Sequence, residues 1–177
     1  MNFRLLDIDE GVLGLSIGLV TNVVDDEGLG RVEIQLPWFA EGYREWARVA
    51  QPYAGDKVGC TWVPEENSEV LVLFERGSMR APYVIGCLYG PIDKPPESRT
   101  KDSDVRTWKT PSGSEIRFDE TKKSVELKTK KGASVLLEED KGDLTITCTN
   151  KLTLKAADIV IEATGNVTVT GSKIALN

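Results

Sequence analysis

The chain has 177 residues, no histidine, three cysteines and a net charge of −6. The acidic excess lies in residues 1–99, at a net −7, whereas residues 100–177 carry +1, so neither half has the basic surplus that phosphate binding favours. No apolar run of about 18 residues occurs, the length a membrane-spanning helix needs, and the acidic N-terminal stretch fits no signal peptide.

Residues 1–15 place Phe3, Leu5, Leu6 and Ile8 among acids. They read either as a terminal segment packing on its own domain or as a docking arm for another protein. Two runs follow, Ser16 to Val24 and Arg31 to Trp38, and the second alternates cleanly, with Val32, Ile34 and Leu36 on one face. Alternation with period two means strand, since successive side chains point to opposite sides of a pleated backbone. Between the runs, Asp25 to Gly30 supplies turn chemistry and positive-φ positions; Asp25, Asp26 and Glu27 read as an exposed turn rather than a cation site.

Further short apolar runs are centred on Trp46–Ala50, Gly59–Val63, Glu69–Phe74 and Pro82–Tyr89, with polar turns between them. Five or six short strands in about 75 residues, and no long helical periodicity, predict a small all-β barrel over 16–90. Three of the eight prolines fall between Gly90 and Ser98, so 91–112 reads as a semi-rigid linker. Cys60, Cys87 and Cys148 show no CxxC spacing and are expected as small buried hydrophobes in a reducing compartment. The Glu65/Glu66 pair sits in a predicted turn and not a cleft, and no phosphate loop, nucleophile motif or ligand cluster appears, so the chain reads as a non-enzyme with no cofactor or metal site.

From Gly113 onward one phrase repeats: two apolar residues separated by one residue, then a polar turn. The pairs are Ile116/Phe118, Val125/Leu127, Val135/Leu137, Leu144/Ile146, Leu152/Leu154, Ile159/Ile161, Val167/Val169 and Ile174/Leu176, spaced 9, 10, 9, 8, 7, 8 and 7 residues apart. Eight strands make fewer than three coils of a single-chain solenoid, barely enough for a continuous core. Three chains around one axis, each supplying one strand per layer, solve that problem. Eight layers at 4.8 Å give a three-sided rod of about 40 Å in which every chain depends on the other two for hydrogen bonds and core. The paired residues form the expected trimer core. Glu126, Lys128, Lys130, Thr153, Lys155 and Glu162 face outward, and the shortening spacing predicts a taper.

Several ordered motifs resemble the contractile-tail central spike family, the phage baseplate assembly V and VgrG-type proteins. They are Gly18-Leu19-Val20-Thr21-Asn22, Gly28-Leu29-Gly30-Arg31-Val32, Leu36-Pro37-Trp38, Trp46-Ala47-Arg48-Val49, Pro64 to Val72, Arg80 to Gly86, and Gly113 to Asp119 after the Lys94-Pro95-Pro96 linker. Asn67 stands at a turn position where relatives usually carry glycine, a substitution asparagine tolerates because it enters the left-handed region readily. The resemblance implies an all-β chain: an N-terminal OB-fold barrel followed by a C-terminal intertwined triple-stranded β-helix, assembled as a homotrimer. It further implies a structural spike, made in the bacterial cytoplasm, that joins a tail baseplate or related injection particle and pierces the target cell envelope. A separate baseplate hub would dock on the barrel and on Phe3, Leu5, Leu6 and Ile8. A PAAR-like tip protein would sit on Ile174, Leu176 and Asn177, and with no histidine the chain cannot supply a histidine-ligated tip iron. The alternative is an OB-fold that binds single-stranded nucleic acid through Trp38, Trp46 and Trp62, which the −7 charge of that half disfavours.

Overall fold

The computed structural model describes residues 14–175. Phe3, Leu5, Leu6, Ile8, Leu176 and Asn177 lie outside the described residues. The chain divides into two compact units at Pro95/Pro96.

The first unit is a closed five-stranded barrel of β1 (Leu15–Asn22), β2 (Arg31–Gln35), β3 (Arg44–Val49), β6 (Glu69–Phe74) and β7 (Pro82–Leu88), in the order β1-β2-β3-β7-β6. All neighbours are antiparallel except β3 and β7, which run parallel through Arg48↔Tyr83 and Val49↔Val84. Closure leaves the barrel no free edge. Inward positions alternate along each strand, and Val20, Val32, Ile34, Ala47, Val70 and Val72 are fully buried with Leu36, Phe74, Met79 and Val84 around them. The expected face of Val32, Ile34 and Leu36 is therefore a core face.

The run Gly59–Val63, expected as a strand, contributes no barrel strand. Only Val58–Gly59 (β5) pairs, with Ala54–Gly55 (β4), in a two-residue ribbon between β3 and β6. Gln51 closes the base of this excursion: its amide donates to the Trp62 carbonyl at 3.0 Å and accepts from the Trp62 backbone N–H at 3.2 Å.

The turn at residues 25–30 is organised by one carboxylate. Asp25 accepts from the backbone N–H groups of Glu27 (3.2 Å), Leu29 (3.0 Å) and Arg31 (3.2 Å), while the Arg31 guanidinium donates to it at 2.8 Å. The Arg31 side chain above all, with those backbone donors, holds the Asp25 carboxyl well below the usual carboxylate range. Gly28 and Gly30 take φ of 66° and 70°, conformations a Cβ would penalise. Asn67 takes φ of 68° in the turn before β6, and Glu65 and Glu66 lie exposed in that same turn.

The second unit is a single antiparallel meander of β8 (Val105–Lys109), β9 (Glu115–Asp119), β10 (Ser124–Lys128), β11 (Ser134–Glu138) and β12 (Asp143–Thr147). This corrects the expectation that each layer draws its ladder partners from other chains: β9 to β12 pair with one another within one chain. Five-residue strands joined by four- or five-residue turns account for the 9- and 10-residue spacings. Residues 148–175, where spacings fall to 7–8, form no ladder among the described residues and are exposed throughout. The stretch read as linker also differs, because 91–112 contains β8. The V-R-T-W-K pattern of β8 carries too little apolar alternation to announce a strand on its own.

Candidate assembly interface

The register of the meander sets its two faces. On one face, Trp108, Ile116, Leu127, Val135 and Ile146 stand side by side across the five strands. Beside them runs Arg106, Phe118, Val125, Leu137 and Leu144. Directly opposed residues in a sheet have Cβ atoms about 5 Å apart, so these are two continuous rows rather than isolated contacts. The first four predicted pairs are thus gathered into one surface. Among the described residues this surface is largely open: Phe118 is 44% exposed, Leu127 52%, Leu137 49% and Leu144 61%. Trp108 and Arg106 extend the rows and were not anticipated. The mostly polar V-R-T-W-K segment holds no apolar alternation that would have marked them.

The opposite face is built from charge. Glu115 is buried between Lys109 (3.5 Å) and Lys128 (3.4 Å), with Arg117 at 4.0 Å. Asp119, also buried, meets Arg117 at 3.7 Å, and Arg117 pairs with Glu97 from the segment after the unit boundary. Lys128 further pairs with Glu126 at 3.4 Å. Burial works against the Lys128 ammonium, but the carboxylates of Glu115 and Glu126 outweigh it and hold its pKa above the ordinary lysine value. Signs alternate from strand to strand, Lys109–Glu115–Lys128 and Arg117–Glu126, the arrangement that favours cross-strand pairing. Glu126 and Lys128 are accordingly half-buried and not simply wet, while Lys130, Thr153, Lys155 and Glu162 are exposed.

The remaining pairs, Leu152/Leu154, Ile159/Ile161, Val167/Val169 and Ile174, are exposed at 53–70%. The cysteines depart from expectation: Cys60 is half-buried, and Cys87 and Cys148 are exposed. Cys148 follows directly on β12, and Cys87 lies near the end of β7 beyond the last buried position of that strand, so neither reaches the barrel core. The tryptophans of the barrel also lie outside its core. Trp38 and Trp62 are 49% and 54% exposed; Trp46 stacks under the Arg31 guanidinium at 5.5 Å. The arginines of that wall are engaged: Arg31 by Asp25 and Glu27, Arg44 by Glu33 at 3.7 Å, and Arg48 over the Tyr83 ring. Among the described residues, no three His, Cys, Asp or Glu side chains come together in a way that could hold a metal ion.

Comparison with known proteins assigns the barrel. Residues 16–89 match the family model of the Type VI secretion system/phage-baseplate injector OB domain. The chain is 29% identical over 141 residues to the Type VI secretion system spike protein VgrG2a of Pseudomonas aeruginosa, covering 73% of this chain and 17% of that protein. It is 37% identical over 87 residues to the spike protein VgrG4b of the same organism (44% of this chain, 11% of that one). Against VgrG3 of Vibrio cholerae it is 28% identical over 87 residues, covering 46% and 9%. The chain therefore spans under a fifth of the length of these curated relatives. The VgrG2a match covers more of the chain than the OB domain does, so it also takes in sequence outside 16–89. Residues 16–89 match the injector OB domain, and over a longer stretch the chain is similar to the VgrG spike proteins.

Proposed function

We propose that this chain is the structural central spike of a contractile injection machine, working as a homotrimeric rod. The observation that carries this reading is the one-sided sheet β8–β12. Its polar face is crossed by ion pairs within the chain, while its other face carries two apolar rows whose side chains are largely exposed among the described residues. Contiguous apolar surface of this extent marks an interaction site. Three such sheets with their apolar rows toward a common axis make a closed three-sided shaft. Below Thr147 the self-paired ladder ends, and the strands of 148–177 find partners only in neighbouring chains, as an intertwined β-helix. The trimer core is then Ile116, Phe118, Val125, Leu127, Val135, Leu137, Leu144, Ile146, Leu152, Leu154, Ile159, Ile161, Val167, Val169, Ile174 and Leu176.

The rod transmits the work of sheath contraction to the target envelope, because a shaft without open strand edges resists bending. The baseplate hub docks on the barrel and on the arm bearing Phe3, Leu5, Leu6 and Ile8, and a PAAR-like tip sits on Ile174, Leu176 and Asn177. Assembly takes place on a tail baseplate or an equivalent injection particle. The names of the relatives as secretion-system spikes support this reading, and the engaged arginines of the barrel wall argue against a nucleic-acid groove. Light scattering on the purified chain is expected to return three times 19.5 kDa. A monomer at micromolar concentration would refute the proposal.

A further inference from the structure

We infer that the apolar face of β8–β12 is the surface on which three copies first recognise one another, and that residues 148–175 pair only afterwards, on the trimer so formed. The inference rests on the trimeric reading above and adds a division of labour to it.

The two halves of the repeat stand in different physical positions before association. Strands β8–β12 are already ordered, with every internal ladder made inside one chain. Joining three preformed sheets costs little further chain entropy and covers apolar area at once, which is the advantage of preorganisation. Residues 148–175 have no ladder among the described residues and are exposed throughout. Ordering them costs backbone entropy at every residue, and no hydrogen bond or buried side chain offsets that cost until two neighbours are alongside. Three separate tails therefore cannot start assembly. Once the sheets hold them together, each tail meets the others at a high effective concentration and pairing becomes an intramolecular event.

The sheet also carries the means to set register. A slip of one residue would bring the charged face to the axis. The ion pairs of Glu115 with Lys109 and Lys128, and of Arg117 with Glu97 and Asp119, hold the polar face in place before any partner arrives. Among the described residues, 148–175 make no comparable ion pairs to align them, and they take their register from the sheet above.

The test uses the full chain with one charge placed in each half, Val125→Asp and Ile159→Asp. Val125 is 37% and Ile159 53% exposed in the lone chain, so a carboxylate at either position reaches solvent before assembly. Tryptophan emission and urea midpoint of the barrel report whether each variant is folded. Light scattering gives the mass, and limited proteolysis followed by mass spectrometry reads cleavage after Thr147. Val125→Asp is expected to be a folded monomer with a cleaved tail. Ile159→Asp is expected to keep the trimer mass while its tail is cut at least tenfold faster than in the parent. If Ile159→Asp is monomeric, or Val125→Asp remains trimeric, the inference is overturned while the trimeric reading stands. A monomeric parent would overturn the trimeric reading itself, and this inference with it. Leu127→Lys serves as the second sheet variant should Val125→Asp disturb the fold, and it carries the same expectations.

Discussion

Neighbouring leucines on opposite faces of one strand offer a sharp test of the interface. Leu137 lies in the apolar row opposite Val125 and Leu144, and is 49% exposed; Leu136 lies on the charged face opposite Glu126 and Thr145. Burying a leucine side chain completely is worth about 1.5–3 kcal/mol, so the half of Leu137 still open in the lone chain represents about 1 kcal/mol. In the proposed trimer, truncation to alanine in all three copies should therefore weaken association by about 3 kcal/mol, roughly a hundredfold in the association constant. Leu136→Ala removes side-chain area that does not face the axis and should shift association by less than about threefold, within the ordinary scatter of surface changes. A dilution series followed by sedimentation equilibrium, in denaturant mild enough to leave the barrel folded, reads both variants on one scale. Equal weakening by the two, or a larger effect at Leu136, would show that the rows assigned to the axis face elsewhere.

Two further outcomes concern the barrel. Asn67, at φ 68°, should tolerate glycine without loss, whereas Asn67→Ala should cost about 1 kcal/mol in the urea unfolding free energy, because alanine lacks asparagine's ease in the left-handed region. Equal stabilities for the alanine and glycine variants would argue against a backbone origin. Asp25 is held below its ordinary value of 3.8, so its contribution to stability is fully present above that pH and is lost as the pH falls below it, when the folded carboxylate must take up a proton. Asp25→Asn should lower the denaturation midpoint at pH 6 and flatten its decline between pH 5 and pH 2.5. A variant whose decline in acid matches the parent's would place the acid sensitivity at other carboxylates.

How much could be read from the residues varies along the chain. Val32, Ile34 and Leu36 announced a core face because strict alternation is a local property of the pleated backbone. The apolar pairs from Ile116 to Ile146 announced strands for the same reason, and Asp25, Gly28, Gly30 and Asn67 announced their turns through side-chain chemistry and left-handed φ. The barrel's motifs and their order carried the family, which the comparison bears out. Trp108 does not read as a strand residue from sequence because Val105-Arg106-Thr107-Trp108-Lys109 is mostly polar, and its ladder partner is β9. The run Gly59–Val63 misled in the opposite direction: its apolar residues decorate an excursion closed by Gln51 and add no stave to the barrel.

The sequence by itself determined the parity of each strand, that is, which side chains share a face. Only the tertiary structure decided which strand lies next to which. It made β8 the partner of β9, closed the barrel through the parallel β3–β7 pair, buried Glu115 and Asp119 among lysines and an arginine, and ended the self-paired ladder at Thr147. The reason is physical. Alternation follows from the geometry of one backbone, whereas a ladder partner is selected by hydrogen bonds and packing between segments that sequence distance does not specify.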